Sequence, residues 1–242
     1  MRRTAAFIRL GMIAMLAACS HAQVQTTESY LGPPVARPDH IFVSYFSLSP
    51  DQVRLDQGIG PRIMRAAGDQ PSGAQELQAV RDTQAALAER LVDRLNKYGL
   101  PAEIATNPPA GARGLLLQGQ IVSIDQGNRT RRVLVGLGAG RSSVSADAQL
   151  YALSGTASPR FMTAFQGQAD SGRAPGAAET MGAGAAGQRI AASTALTGAT
   201  HAGAETRRTT DTAEATALAD AIALRIGQFG VAQGWIPQTA LQ

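Results

Sequence analysis

The chain has 242 residues and a mass of 25.1 kDa, is 44% apolar but only 5% aromatic, and holds 45 alanines and 26 glycines. Large apolar side chains are therefore too few for two full cores, and one modest core with Ala/Gly-rich appendages is expected. The formal charge is +4, but Arg2, Arg3 and Arg9 precede an expected processing site, which leaves 19 basic against 18 acidic residues and argues against a nucleic-acid partner despite a sequence pI of 9.8.

Residues 1–18 combine a basic start with an uncharged apolar run, Leu10 to Ala18, followed by Cys19. That is the layout of a secretory signal. The run is about half of the roughly 20 residues a membrane-spanning helix needs, so a permanent transmembrane anchor is not expected. Leu16-Ala17-Ala18-Cys19 resembles the lipobox of bacterial lipoproteins, in which the cysteine is acylated and becomes the new N-terminus. An ordinary secretory signal with a chance cysteine is the alternative. Cys19 is the sole cysteine, which rules out an internal disulfide, a CxxC pair and a thiolate zinc cluster. Ser20, where inner-membrane lipoproteins of enteric bacteria usually carry aspartate, points to the outer membrane. Residues 19–38 are polar, include Pro33, Pro34 and Pro38, and read as a lipidated flexible tether.

The domain is expected over residues 39–235. Asp39 to Leu48 is β-branched and aromatic, with apolar residues on both alternations, and predicts an interior strand. Residues 49–72 read as an irregular connection. From about Ser72 to Tyr98, Leu77, Val80, Leu87, Leu91, Leu95 and Tyr98 recur at helical spacing, with Ser72 as N-cap and Gly99 and Pro101 as the stop. Short strands follow at 102–106 and 131–136. Longer ones are predicted at 115–125, 142–153 and 161–169, and three successive strands joined by short Gly, Asn and Pro turns make an antiparallel meander. Residues 174–204 form an Ala/Gly-rich insertion in which Met181, Ile190 and Leu196 are the only bulky apolar side chains. A loop or loosely packed helix suits it, although its small residues at every fourth position, Gly187, Ala191 and Ala195 among them, offer a helix-packing face. Thr212 to Gly234 predicts a second helix, and residues 236–242 a C-terminal tail. The expected fold is α+β and single-domain: a mixed or antiparallel sheet with a C-terminal meander and two long helices on one face.

Sequence motifs for catalysis or cofactors fail on context. Gly182-Ala-Gly184-Ala-Ala-Gly187 matches a dinucleotide fingerprint but lacks the preceding strand, and Gly136-Leu-Gly138-Ala-Gly140 lies between strands. His21, His40 and His201 are too scattered to share a metal, and there is no Gly-x-Ser-x-Gly elbow. Asp125, Asp147 and Asp170, near predicted strand ends, read as solvated turn residues. No enzyme, metal or cofactor is expected. Arg129, Arg131, Arg132 and Arg141 offer an anion or partner contact, lipopolysaccharide or lipid phosphate above all, against a plainer reading as solvated turns.

Asp125-Gln-Gly127-Asn-Arg129, followed by Gly136-Leu-Gly138-Ala-Gly140-Arg141, carries a Gly-x-Arg then Gly-x-Gly-x-Gly pattern. Here the chain resembles the bacterial lipoprotein family known as domain of unknown function 4410, over roughly residues 40–235, with leucine at 137 where phenylalanine is usual. The resemblance implies location and fold, and no catalytic residues. More weakly, the order strand, helix, strand, meander is similar to periplasmic modules of the TolB amino-terminal and curli-secretion-lipoprotein type. The expected function is that of an outer-membrane-anchored lipoprotein facing the periplasm, a non-enzymatic scaffold or accessory component of an envelope assembly. Its partners would be the membrane through Cys19 and an envelope protein or further copies of itself. The alternative is a carrier of lipid, lipopolysaccharide or another amphiphile.

Overall fold

The structure, a computed structural model, describes residues 21–48, 52–55, 72–128, 141–155, 158–171 and 202–242. Its elements in chain order are β1 (His21–Glu28), β2 (Ile41–Val43), β3 (Val53–Arg54), α1 (Ser72–Lys97), β4 (Ala102–Ile104), β5 (Arg113–Asp125), β6 (Ser143–Ser154), β7 (Arg160–Asp170), α2 (Ala202–Ala232) and a closing 3-10 turn, Gln238–Leu241. The strands form one seven-stranded sheet in the order β1-β7-β6-β5-β2-β4, with β3 also paired to β5.

The meander β5-β6-β7 forms as its alternation predicts. Val144, Ala146, Ala148 and Leu150 are buried on one face of β6, whereas Ser145, Asp147 and Gln149 lie on the other. On β5 the same face carries Leu115, Leu117 and Ile121, and a bulge at Val122 resets the register so that Ile124 also points inward. Gly119 stands at the centre of β5. A Cβ there would collide with the Asp147 carbonyl oxygen and come within 2.7 Å of the Phe46 ring, so glycine is what lets Phe46 lie buried on the sheet.

Both helices cover this apolar face and pack on each other. α1 meets β2, β3 and β4, while α2 meets β1, β6 and β7. α1 buries Val80, Leu87, Leu91 and Leu95 as its spacing predicts, but Leu77 is 45% exposed. The helix ends where expected. Gly99 takes φ +77°, its N–H donates to the Asn96 carbonyl at 2.9 Å, and the Leu100 N–H reaches back to Leu95 at 3.0 Å. This is a Schellman stop, closed by apolar contact between buried Leu95 and Leu100. α2 presents Ala215, Leu218, Ala219, Ile222, Ala223 and Ile226 to the core.

Four expectations are corrected. Residues 21–28, expected within the tether, are an edge strand paired antiparallel with β7. The tether's next stretch is also held: Val35 N–H donates to Gln233 Oε1 at 2.8 Å, Trp235 Nε1 donates to the Val35 carbonyl at 2.7 Å, and Arg37 donates to the Gly99 carbonyl at 2.6 Å. An edge strand with one face in water needs only one inward apolar residue, here Val24, and so reads as a linker by hydropathy. The interior strand expected at 39–48 is only three residues long, although Ile41 and Val43 are fully buried and Phe42 nearly so. α2 starts ten residues before the expected Thr212 and takes in the end of the Ala/Gly insertion, because Ala202 to Asp211 has no proline and enough good helix formers to extend the helix without a bulky stripe. The expected tail includes the 3-10 turn, with Ala240 and Leu241 against the core. The strand expected at 131–136 and residues 174–201 of the insertion lie outside the described residues.

Candidate functional site: an uncovered polar sheet face

The sheet face turned away from the helices is built mostly from uncharged polar side chains in cross-strand rows. In one row Gln25, Gln166, Asp147 and Gln120 stand side by side across β1, β7, β6 and β5. In the next are Gln23, Gln168, Ser145 and Ser123, and in a third Gln149 and Gln118. The glutamines of all three rows are exposed. A groove of about 350 Å³ crosses the first two rows, lined by Gln23, Gln25, Ser145, Asp147, Gln166 and Gln168 beside the bulged Val122. Toward the opposite end the rows give way to apolar side chains. Tyr151 and Phe161 meet edge to face at 5.8 Å, in register with Leu116 and Phe42.

Local bonding fixes part of this surface. Gln166 Nε2 donates to Asp147 Oδ1 at 3.1 Å, and the Tyr151 hydroxyl donates to Gln149 Oε1 at 2.7 Å. A side-chain amide both donates and accepts, so such a face suits neutral polar partners, peptide or hydroxyl-rich, and Asp147 is the one carboxylate in these three rows. Among the described residues no three His, Cys, Asp or Glu come together to hold a metal, and no helix is long and apolar enough to cross a membrane.

Of the residues singled out in the sequence, Arg141 is described. It pairs with Asp170 at 3.5 Å, its side chain 41% exposed, at the end of the sheet where β6 begins. Cys19, Arg129, Arg131, Arg132, Gly187, Ala191 and Ala195 lie outside the described residues. Asp125 closes an Asx turn onto the Gly127 N–H at 2.8 Å and faces Arg54 at 4.0 Å. Asp147 sits in mid-strand, not at a strand end.

Three groups escape the sequence reading. The glutamine rows left one visible signal, the pairs Gln23-Val-Gln25, Gln118-Gly-Gln120 and Gln166-Gly-Gln168, whose period of two places both members on one face. The second is an ion cluster between the helices. Arg90 donates through Nε and Nη2 to both oxygens of Asp220 at 2.7 and 3.0 Å, and Arg94 Nε lies 3.2 Å from the same carboxylate without the alignment of a hydrogen bond. The hydrogen bond to Asp220 holds the Arg90 guanidinium above its ordinary pKa, against the opposing effect of burial. On the outer side, the hydrogen bond from Lys97 draws Asp93 below its ordinary value, with the charges of Lys97, Arg90 and Arg94 adding to it. A second open groove, of about 380 Å³, lies beside this cluster between Arg94, Tyr98, Asp220 and Leu224. The third is Glu214 of α2, 1% exposed, which accepts from Ser142 Oγ at 2.5 Å and so ties α2 to the start of β6.

Comparison with known proteins gives one family and a distant likeness. No curated protein matches the chain. Among solved structures, a point-substituted PelC dodecamer from Paraburkholderia phytofirmans (space group C2) is 16% identical, with 61% of this chain and 80% of that chain covered and a TM-score of 0.34. The PelC dodecamer from the same organism in space group P6 is likewise 16% identical, covering 64% of this chain and 83% of that one at a TM-score of 0.32. The family match spans residues 41–188, from β2 through the whole meander, and the chain belongs to the family described as a domain of unknown function, DUF4410.

Proposed function

We propose that this chain is an outer-membrane lipoprotein, acylated on Cys19 and facing the periplasm. It works without catalysing a reaction, as a scaffold or accessory component of an envelope assembly, and the glutamine face is the surface it presents. The observation that carries this reading is the asymmetry of the sheet. One face is filled by two helices, while among the described residues no helix packs on the other, where glutamines from four strands are exposed. Such a face offers shape and hydrogen bonds to a partner without the paired acids or activated nucleophile that chemistry would require.

Native mass spectrometry of the full-length protein, extracted gently from membranes, tests it. The expected spectrum shows loss of residues 1–18, acyl chains on Cys19, and a multimer or bound protein that dissociates when Gln25 and Gln166 are both replaced by lysine. An acylated monomer carrying a small amphiphile would overturn the assembly reading in favour of a carrier. An unmodified soluble chain would overturn the anchoring.

A further inference from the structure

The register of the sheet brings His21 of β1, Asp170 of β7, Ser143 of β6 and Asp125 of β5 to one end, with Arg54 of β3 beside them. Cys19 precedes His21 by two residues, a reach of no more than about 7 Å of extended chain. We propose that this end of the sheet faces the lipid surface, so that the domain stands end-on against the membrane with no free tether between them. The inference rests on the acylation of Cys19 proposed above and adds the orientation it imposes.

Rigidity is what turns the anchor into an orientation. β1 is bonded along its length to β7, Val24 is buried under α2, and Arg225 of α2 donates to the Val24 carbonyl at 3.0 Å. A pull on the start of β1 therefore moves the whole sheet. The chemistry of this end also tolerates a phosphate surface. Arg54 faces Asp125 and Arg141 faces Asp170, so the carboxylates are balanced by guanidinium groups, and those of Arg54 and Arg141 are 80% and 41% exposed. Arginine in such a position can turn to a lipid phosphate and bind it through two parallel hydrogen bonds.

The long connections 56–71, 129–140 and 172–201 all leave from this end, from Leu55, Asn128 and Ser171. The opposite end carries the connections 29–40 and 105–112, with positive-φ glycines at Gly99, Gly155 and Gly234. Because α2 begins at Ala202, about three turns before Glu214 meets Ser142, it overruns the sheet here and sets the tilt at which the end meets lipid. From Asp125 back to Arg113, β5 carries the domain about 40 Å away from the membrane.

Acylation consumes Cys19, so one introduced cysteine supplies the only free thiol in the full, lipidated chain. Arg54→Cys marks the proposed membrane end and Ser154→Cys the opposite one. Each is labelled with a small fluorophore, and the protein is reconstituted into phosphatidylethanolamine and phosphatidylglycerol vesicles that carry a nitroxide on the headgroup. Quenching is expected to be several-fold stronger for the label at Arg54→Cys, and a Gly/Ser linker inserted between Ser20 and His21 is expected to equalise the two. Equal quenching without the linker, or stronger quenching at Ser154→Cys, in protein whose mass shows the acyl chains would overturn the orientation and leave the lipoprotein reading standing. A mass without acyl chains would overturn that reading and the orientation with it.

Discussion

The side-chain amide of Asn96 is bonded twice to Ala102: Nδ2 donates to its carbonyl oxygen and Oδ1 accepts from its N–H, both at 3.0 Å. An amide so placed copies the bond pair of a neighbouring strand and occupies the outer edge of β4 where another chain would add. Arg225 does the same for one carbonyl of β1 at the opposite edge. Asn96→Ala removes both bonds and reopens β4, so unfolding stability is expected to fall by about 1–2 kcal/mol. Light scattering at raised protein concentration is expected to increase. Urea unfolding with scattering checks both, and a variant unchanged in each would refute the edge-guarding role.

Asp220 is the acceptor on which Arg90 and Arg94 converge between the helices. Asp220→Asn leaves two guanidinium groups, each about two-thirds covered, facing a neutral amide, and with water screening what remains the expected loss is about 1–2 kcal/mol. Asp93→Asn, on the exposed side of the same cluster, is expected to cost far less. A double-mutant cycle combining Arg90→Met with Asp220→Asn measures the coupling directly, and strict additivity would show that the two residues act independently.

The acid side of the stability profile carries a signature of Asp93. Its carboxyl is held below the ordinary value of 3.8, first by the hydrogen bond from Lys97, so the folded state releases this proton more readily than the unfolded chain does. The stabilisation is therefore fully present above 3.8 and is lost as pH falls through the lower folded value. The difference in denaturation midpoint between the protein and Asp93→Asn should stay constant from neutral pH down to mildly acid pH and close below 3.8. Arg90, raised further above its already high value, adds no titration below strongly alkaline pH.

Two glycines are expected to resist substitution for different reasons. Gly99→Ala forces a side chain into the left-handed region at the end of α1, at a cost of about 1 kcal/mol. Gly119→Ala drives a Cβ into the Asp147 carbonyl and the Phe46 ring, at a cost of about 2 kcal/mol or more. Adding Phe46→Leu relieves only the ring contact, so chemical denaturation of the double variant should show no full recovery. Full recovery would mean that the backbone collision is absent.

Much of this fold is legible in the chain where burial is local. The leucines of α1, its Gly99 stop and the alternation of β6 each report an environment through neighbours a few residues away. β1 is different, because its polar composition describes only the side that meets water, while its place in the sheet depends on β7 at the far end of the domain. The same distance hides Asp220 from Arg90: each lies on its own helix as an ordinary solvent-facing charge until the helices meet. The glutamine face needed only the register to assemble it, and three Gln-x-Gln pairs already carried the alternation. Arg141 was visible as a cation, but its partner Asp170 is set by strand pairing and not by spacing.

The pairing of His21 with Asp170 also sets an order of assembly. β6 and β7 pair across a five-residue link and β5 joins β6 across residues 126–142, whereas β1 must close a loop of most of the chain before its bonds form. The first segment synthesised is thus among the last to find its place. Until β7 is complete, β1 remains an unpaired polar strand beside Cys19, open to any enzyme that must act there, and its docking is what withdraws that segment from solvent. On the proposed lipoprotein reading, maturation of the N-terminus and closure of the sheet are in this way separated in time by the topology itself.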